Sequence, residues 1–322
     1  MNKTAFIAIV GCANVGKSSI LNALLGEKVA IVSPKPQTTR TRIMGVLTEG
    51  VRQYVFTDTP GLHRPRTRLG EHMARAAKEG MDGVDACLFV TQADWSGLRP
   101  QEEQLLADFK QRYGRAQRSS ASADTTGGSG APPQAAPVIL VLNKVDLLAR
   151  KEDLAERILL FSRQYDFAAV VPCSAAKGSN MEALREEIDA LFGRLDLAEG
   201  FYFPEDTLTD QPERVMAAEM LREQLLRWLE QEIPHGTAVV IEKMRERADS
   251  DLLDIEATIF CERETHKGMI IGRGGAMLKR ISTGARREME AFFECRVNLQ
   301  CWVKVKEDWR NREGLIRNFG LE

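Results

Sequence analysis

The segment GCANVGKSS, residues 11–19, combines glycine, lysine and serine at a spacing that suits phosphate chemistry. It follows the apolar run AFIAIV and precedes ILNALLG, so we expect a strand before it and a helix after it. Glycines let backbone N–H groups approach phosphate oxygens, and the N-terminus of the following helix adds partial positive charge. The pattern predicts a Walker A loop in which Lys17 reaches the β and γ phosphates and Ser18 binds Mg²⁺.

Three further short motifs follow, each at the end of a strand-like run. DTPG supplies Asp58, whose carboxylate can hold Mg²⁺ through water, and Gly61, whose N–H can face a γ phosphate. NKVD supplies Asp146, which can accept hydrogen bonds from guanine N1–H and N2–H₂ together, whereas adenine offers neither donor. CSAAK supplies Ser174 and Ala175, the latter with a backbone N–H for guanine O6. Four motifs in this order predict GTP as the nucleotide.

The loop PKPQTTRTR, residues 34–42, lies between the first two motifs and is called the switch loop below. A threonine there can bind Mg²⁺ only beside a γ phosphate, so the loop should order with GTP and release on hydrolysis. We assign this role to Thr39 in preference to Thr38. The predicted catalytic residues are Lys17, Thr39 and Gly61, and the predicted metal-binding residues are Ser18, Thr39 and, through water, Asp58. The predicted nucleotide-binding residues are Gly11, Asn14, Val15, Gly16, Lys17, Ser18, Ser19, Asp58, Gly61, Asn143, Lys144, Asp146, Ser174 and Ala175.

A second chemistry-bearing segment, GRGG at residues 272–275, opens a helical pattern near the C-terminus. Two strand-like runs precede it and another follows, which is the setting of the GxxG turn that clamps about four nucleotides in KH domains. We expect bases to be read in a groove beside Ile270 and Ile271, and the basic residues Arg286 and Arg287 to be a solvated face. The predicted RNA-binding residues are Ile271, Gly272, Arg273, Gly274, Gly275, Lys279 and Arg280.

The distribution of charge supports a polyanionic partner although the net charge is only −2. Residues 202–258 hold 6 basic and 14 acidic residues, whereas residues 262–317 hold 13 basic and 8 acidic ones. Local fields matter more to a polyanion than the total charge. The alternative is a GTPase whose C-terminal domain binds a protein partner instead of RNA.

The elements that must position these residues follow from hydrophobic periodicity. Strand-like and helical runs alternate over the first part of the chain, which predicts an α/β P-loop domain with a mostly parallel sheet and helices on both faces. The short TEGVRQ connection predicts an antiparallel edge hairpin. We expect a G domain at 1–195 with a flexible insertion at 114–137, a linker at 196–209 and an α+β domain at 210–322. In that last domain, one helical face should hold Val215, Ala218, Leu221, Leu225 and Trp228 or Leu229.

Several protein classes are excluded by composition. No run approaches the roughly 18 apolar residues of a membrane span. The six cysteines include no C-x-x-C pair, and the four histidines lack zinc-ligand spacing. A reduced cytoplasmic protein is the simplest interpretation.

With KPQTTR, DTPGLH, IIGRGGAMLKRI and CWVKVKEDW added to the GTPase motifs, nearly the whole chain resembles the Era family of bacterial GTPases. The resemblance implies a type II KH domain, GTP hydrolysis, GTP or GDP with Mg²⁺, and binding to the 3′ end of 16S rRNA during small-subunit assembly. It also implies a monomer and peripheral attachment to the inner membrane. Leu62 stands where many small GTPases have a catalytic glutamine. Asn14 resembles the asparagine that holds K⁺ near the phosphates in related GTPases.

Overall fold

The structure, a computed structural model, describes residues 1–62, 65–119, 136–248 and 250–321. The strands are β1 (Lys3–Gly11), β2 (Ile43–Glu49), β3 (Arg52–Asp58), β4 (Ala86–Gln92), β5 (Val138–Asn143), β6 (Ala169–Pro172), β7 (Ala238–Glu246), β8 (Leu252–Cys261) and β9 (Arg296–Val305). The helices are α1 (Lys17–Leu25), α2 (Arg68–Glu79), α3 (Pro100–Ser119), α4 (Lys151–Ser162), α5 (Met181–Phe192), α6 (Glu213–Trp228), α7 (Glu264–Ile271), α8 (Ala276–Phe292) and α9 (Glu313–Asn318). Among the described residues, no helix has the length and apolar character that crossing a membrane requires.

The N-terminal sheet has the strand order β2-β3-β1-β4-β5-β6. Its pairs are parallel except for β2 with β3, which form the predicted antiparallel edge hairpin around Gly50. The φ angle of Gly50 is 61°, a left-handed conformation that glycine adopts without strain. The predicted α/β architecture is therefore confirmed.

Alternating side chains of β1 pack on opposite faces of this sheet. Ile7 and Ile9 join the apolar cluster built with α1 and α5, whereas Ala8 and Val10 join the cluster built with α3 and α4. Because helices cover both faces, the sheet is buried, and the carboxyl ends of its parallel strands remain as the place for a ligand. The four nucleotide motifs follow β1, β3, β5 and β6 and so meet at one edge.

The predicted insertion begins later than residue 114. Helix α3 continues to Ser119, so the first six residues assigned to the insertion are helical. Residues 120–135 lie outside the described residues, and Val138 already begins β5. The composition of the segment did not reveal the end of the helix before it.

The C-terminal unit is a three-stranded sheet of order β7-β8-β9 with β7 antiparallel and β9 parallel to β8. Helices α6, α7 and α8 cover one face. Ile281, Ala285 and Met289 of α8 are buried against this sheet. Helix α7 was missed, because its sequence ETHKGMII holds three β-branched residues and a glycine, all of which lower helix propensity.

The predicted apolar face of α6 is only partly correct. Leu221 and Leu225 are buried in the core, but Val215 is exposed. Residues on the other side of the helix, including Arg222 and Glu223, are buried as well. Helix α6 is enclosed because it lies between the C-terminal sheet and the N-terminal unit, an arrangement that periodicity within one helix cannot reveal.

Contacts between the two units continue on the outer face of the C-terminal sheet. Leu69 and Met73 of α2 share an apolar cluster with Phe260, Trp309 and Ile316. The predicted linker also packs against the N-terminal sheet, where the N–H of Val46 donates to Leu208 O at 2.8 Å. Helix α2, which follows the DTPG motif, and the predicted linker thus both contribute contacts between the two units.

Candidate functional site

The loop after β1 has the backbone of a phosphate cradle. Gly11 and Gly16 adopt φ angles of 154° and 96°. A Cβ on Gly11 would lie 2.1 Å from Val90 O, and one on Gly16 would lie 2.2 Å from Asn143 Nδ2. Helix α1 begins directly after Gly16 without a side-chain cap, so its first N–H groups remain for an anionic ligand. Glycine is therefore required at both positions for packing and for conformation.

Lys17 lies at the floor of this cradle. Its Nζ donates to Gly11 O at 3.3 Å and to Cys12 O at 3.0 Å, and its side chain is buried. Burial lowers the Lys17 pKa, and the nearby carboxylate of Asp58 opposes this shift. Among the described residues this ammonium has carbonyl oxygens and no carboxylate in contact, so a phosphate group is the partner that its charge favours.

Three hydroxyl and carboxylate groups from separate segments meet beside Lys17. Ser18 Oγ donates to Asp58 Oδ2 at 2.7 Å and lies 2.9 Å from Thr39 Oγ1. Thr39 Oγ1 also donates to Asp58 Oδ2, at 3.1 Å. The structure therefore brings together the three residues that were predicted to bind Mg²⁺. Oxygen donors in this number leave room for waters and substrate oxygens in an octahedral Mg²⁺ shell.

The other oxygen of Asp58 supports the same assignment. Asp58 Oδ1 is buried and has no hydrogen-bond partner among the described residues. Burial raises the Asp58 pKa, while Lys17, Ser18 and Thr39 act in the opposite direction. A cation, directly or through its water, would satisfy this orphaned acceptor and favour the carboxylate form. Bound Mg²⁺ would supply positive charge for the phosphate oxygens of the nucleotide.

The two threonines of the switch loop have different partners. Thr38 Oγ1 donates to Lys35 O at 2.7 Å within the loop, whereas Thr39 faces Ser18 and Asp58. Thr39 is buried, which holds its hydroxyl at the metal-binding position. This geometry favours Thr39 over Thr38.

Asn143 and Lys144 join the cradle to the base-binding end of the site. Asn143 Nδ2 donates to Val15 O at 2.8 Å, and Lys144 Nζ donates to Asn14 O at 2.7 Å. The Val15 side chain is fully buried, so this residue contributes its backbone to the site. Lys144 adopts a φ angle of 64°, which turns the chain sharply after β5. These contacts fix the guanine motif against the phosphate loop.

Asp146 is exposed beyond this turn, as a base-reading carboxylate must be. Ser174 Oγ donates to Asp146 Oδ1 at 2.5 Å, so the buried serine orients the carboxylate. The Ala175 N–H donates to Asn143 Oδ1 at 3.1 Å. Its assignment to guanine O6 therefore stays a prediction, and Ser174 takes a supporting position that motif matching did not specify.

A cavity of about 280 Å³ lies between the cradle and the switch loop. It is lined by predicted residues that include Asn14, Gly16, Lys17, Ser18, Ser19, Thr39, Gly61 and Lys144. Sequence reasoning missed other lining residues, namely Ala13, Ile31, Val32, Ser33, Pro34, Lys35, Gln37 and Ala176. Most of these residues belong to the switch loop or directly precede it. Their place in the cavity could have been predicted from the position of that loop between the first two nucleotide motifs.

Hydrogen bonds in both directions join the switch loop to the C-terminal unit. Arg40 donates from Nη1 to Thr237 O at 2.6 Å and from Nη2 to His235 O at 2.9 Å. Arg222 of α6 donates from Nη2 to Thr38 O. Arg40 is buried without a carboxylate in hydrogen-bonding contact, and burial lowers its pKa to about 9. The loop that carries Thr39 is thus linked directly to the C-terminal unit.

The glycine turn between α7 and α8 has the conformation that its residues predict. Gly272, Gly274 and Gly275 have φ angles of 72°, 56° and 79°. A Cβ on Gly272 would lie 2.7 Å from Met277 Cβ, while the other two glycines face open space. Arg273 is exposed at the tip. The turn therefore presents backbone and one cation to solvent, as phosphate binding requires.

The neighbouring predicted RNA-binding residues separate into two groups. Lys279 and Arg280 are exposed on α8, and Ile271 is half-buried. Ile270, which we expected beside the groove, is fully buried in the core. Ile270 is buried because it is the apolar side chain through which α7 packs on the core of the C-terminal unit.

Comparison with known proteins agrees with this geometry. The profile of the 50S ribosome-binding GTPase family matches residues 6–144, and that of the KH domain matches residues 232–310. GTPase Era of Clostridioides difficile (strain 630) is 44% identical over 321 residues, covering 99% of both chains. GTPase Era of Caldanaerobacter subterraneus subsp. tengcongensis is 43% identical over 319 residues, 99% of this chain and 97% of its relative. The chain belongs to the Era family of GTPases.

Two Era structures share the whole fold. A variant of Aquifex aeolicus Era bound to GDP·AlF₄⁻ matches with a TM-score of 0.86 at 36% identity, covering 99% of both chains. Era in complex with MgGDPNP and nucleotides 1506–1542 of 16S ribosomal RNA matches with the same TM-score and identity, covering 100% of this chain and 99% of that chain. The predicted order of a P-loop GTPase domain and a C-terminal KH domain is confirmed.

Two residues distinguish this Era-family site from small GTPases that use a catalytic glutamine. Leu62 is half-buried and packs against the apolar cluster between the sheet and α3, so it cannot orient water. Asn14 is exposed in the cradle with a φ angle of 62°. Hydrolysis must therefore depend on the charges around the phosphates and not on a glutamine at the second motif.

Proposed function

We propose that this protein is a GTP-switched assembly factor that binds the 3′ end of small-subunit rRNA through its KH domain. One observation carries the proposal: the loop that places Thr39 beside Ser18 and Asp58 is held on its other side by Arg222 and by carbonyl groups that bind Arg40. Any change in the position of Thr39 is therefore transmitted to the KH domain.

GTP and Mg²⁺ are the ligands that fit the first site. Lys17 neutralises phosphate charge, Asp58 and the two hydroxyl groups hold Mg²⁺, and Asp146 selects guanine. The Gly61 N–H contributes to the γ phosphate. Two relatives crystallised with GDP·AlF₄⁻ and MgGDPNP support this assignment. K⁺ beside Asn14 is a further expectation, and equal GTP turnover in K⁺ and Na⁺ buffers of one ionic strength would remove it.

RNA is the ligand that fits the glycine turn. The relative bound to nucleotides 1506–1542 of 16S rRNA supports the 3′ end of that molecule as the target. The turn would hold about four nucleotides, with Arg273 and the backbone on the phosphates and Ile271 beside the bases. We extend the family resemblance to a place on the pre-ribosomal small subunit, a monomeric state in the cytoplasm and peripheral contact with the inner membrane.

Binding of a 3′-end RNA to the full chain tests the function. We expect tight binding with a non-hydrolysable GTP analogue and weaker binding with GDP. A protein-binding C-terminal domain would give no RNA binding, and nucleotide-insensitive binding would remove the switch. Gly275→Asp should abolish RNA binding and leave GTP binding intact, because the position needs a positive φ and faces phosphate. Far-UV circular dichroism and thermal unfolding check that the variant folds.

A further inference from the structure

A groove with a volume of about 590 Å³ opens between α6 and α8. The side chains of interest in its lining are Arg227, Trp228, Lys279, Arg280, Arg287 and Glu288. The sequence predicts two of them, Lys279 and Arg280, to bind RNA. It predicts a solvated face for Arg287 and the apolar face of α6 for Trp228 or Leu229, and it gives Arg227 no role. The groove therefore gathers cations from two helices that are distant in sequence.

Close packing of the two helices creates this arrangement. Gly284 lies against Gln224, and an added Cβ would approach Gln224 Oε1 to 2.5 Å. Residues 276, 280, 284 and 287 of α8 recur every three or four positions and so face the same side. Because Gly284 lets α6 come near, Arg227 and Trp228 border the same groove as Arg280 and Arg287.

Two adjacent arginines of α8 have different surroundings. Arg286 Nη1 pairs with Glu290 Oε1 at 3.0 Å, one turn further along the helix. Arg287 lines the groove and is exposed. Arg286 therefore has a carboxylate partner within its own helix, whereas Arg287 contributes its charge to the groove.

The acidic member of the groove, Glu288, already has cationic partners, among them Arg227, whose Nη1 lies 3.9 Å from Glu288 Oε1 and whose Nη2 lies 3.8 Å from Glu223 Oε1. Glu288 Oε2 accepts from Lys28 Nζ at 2.8 Å, and Glu288 Oε1 accepts from Gln224 Nε2 at 2.5 Å. Lys28 belongs to the GTPase domain, just before the switch loop. The groove consequently has an excess of positive charge that depends on the docked GTPase domain.

Arg280 is oriented by an aromatic ring. Its guanidinium carbon lies 3.4 Å from the centre of the Trp228 ring. The indole N–H of Trp228 donates to Gln224 Oε1 at 3.2 Å, which fixes the ring. A stacked guanidinium keeps its N–H edge for phosphate oxygens.

The groove is continuous with the glycine turn. Ala276 lines it and follows Gly275 directly. Helix α8 begins after Gly275 without a side-chain cap, so its N-terminus adds positive potential where turn and groove meet. A nucleic-acid strand leaving the turn therefore meets a row of cations at once, and this continuity favours RNA over an acidic protein.

We propose that the groove between α6 and α8 binds the sugar–phosphate backbone of an RNA segment that flanks the nucleotides held by the glycine turn. The inference rests on the proposed RNA-binding function. Arg227, Lys279, Arg280 and Arg287 contact phosphates. The RNA footprint is then longer than the four nucleotides of an isolated GxxG turn.

The test compares Arg287→Gln and Arg227→Gln with the matched control Arg286→Gln in the full chain bound to a non-hydrolysable GTP analogue. Two RNAs are used, a short one limited to the turn and a longer one extended by about ten nucleotides on each side. For the longer RNA, each groove variant should lose roughly threefold to tenfold in affinity and lower the slope of log K against log salt by about 0.7 to 0.9. Affinity for the short RNA, measured by competition, should remain unchanged.

Each outcome separates the two proposals. If the unaltered chain binds neither RNA, the proposed function itself is wrong. If it binds both RNAs and the groove variants match the unaltered chain on the longer one, only the groove proposal is overturned, as it would be for a groove that takes an acidic protein. Equal losses with Arg286→Gln would also overturn it, because they would show a general charge effect.

Discussion

The guanidinium group of Arg222 donates a hydrogen bond to the carbonyl oxygen of Thr38, one residue before the threonine that meets Asp58. Arg222 is buried in the KH domain, and Thr38 lies in the switch loop of the GTPase domain. A single peptide unit therefore separates Thr39, whose hydroxyl we predict to bind Mg²⁺, from the residue that Arg222 binds. This short distance is the physical basis for the coupling that we propose between nucleotide and RNA.

Arg222→Ala should reduce that coupling. The variant removes the hydrogen bond to Thr38 O, so the KH domain no longer responds fully to the position of Thr39. We expect RNA affinity measured with a GTP analogue to fall toward the value measured with GDP. Arg214→Ala, an exposed residue on the same helix, is the control. An unchanged ratio of the two affinities in Arg222→Ala would contradict the role assigned to this contact.

Thr39→Ala and Thr38→Ala should have different effects on Mg²⁺ binding. Thr39 Oγ1 lies beside Ser18 Oγ and Asp58 Oδ2, whereas Thr38 Oγ1 binds Lys35 O. We expect Thr39→Ala to weaken the apparent Mg²⁺ affinity of the GTP-analogue complex by at least roughly tenfold, the lower bound for disturbing a metal site. The apparent Mg²⁺ affinity of Thr38→Ala should stay close to that of the unaltered protein. Mg²⁺ titrations followed by a fluorescent nucleotide measure both, and the reverse order would exchange the assignments.

Mg²⁺ binding should weaken as the pH falls. Burial raises the Asp58 pKa above the ordinary value of about 3.9, and Mg²⁺ binds the carboxylate form. The metal-bound state therefore holds fewer protons, so affinity is constant above the raised pKa and falls below it. Titration calorimetry in buffers of different ionisation enthalpy should detect proton release near that pKa. Constant affinity down to pH values near 4 would be inconsistent with a raised pKa.

Asp146→Asn should exchange guanine preference for xanthine preference. The carboxylate accepts two hydrogen bonds from guanine, while an amide offers one donor and one acceptor, which matches xanthine. Competition between GTP and XTP measures the change. Ser174→Ala should weaken GTP binding without changing the base preference, because the serine only orients Asp146. GTP affinity that survives Asp146→Asn would place guanine recognition elsewhere.

Lys28→Gln should weaken RNA binding although Lys28 lies in the GTPase domain. Its Nζ pairs with Glu223 at 2.5 Å and with Glu288 at 2.8 Å, and without it both carboxylates add negative charge beside the groove. We expect a loss of roughly twofold to fivefold in RNA affinity, since half-exposed pairs contribute about 0.2 to 1 kcal/mol. Lys110→Gln, exposed on α3, makes the same charge change away from these residues. Equal losses in the two variants would argue against a local effect.

The nucleotide site was predictable because each of its motifs carries its own chemistry. The Walker A spacing, Asp58 and Asp146 indicate which groups would bind phosphate, Mg²⁺ and guanine. Parallel strands bring these groups together because their carboxyl ends meet at one edge of the sheet. The meeting of Ser18 and Asp58 follows from that topology, whereas Thr39 reaches them from the loop before β2. The role of Ser174 did not follow, because a motif does not show which hydroxyl orients which carboxylate.

The contacts between domains were not predictable from local patterns. Arg222 and Glu223 look like ordinary polar positions of an amphipathic helix, yet both are buried. Helix α6 packs against the KH sheet on one side and the switch loop on the other, so no single apolar face describes it. The start of the insertion at residue 114 was wrong for a related reason, because α3 continues through a polar, alanine-containing sequence that composition alone marks as loop.

The packing of Leu62 bears on which side chains this position can accept. Its side chain fills part of the apolar cluster beneath the second motif, and its N–H donates to Gly11 O at 3.3 Å. A glutamine at this position would place a polar amide against that cluster, at a cost in stability before any gain in rate. Packing at Leu62 therefore opposes the glutamine by which other GTPases orient the attacking water.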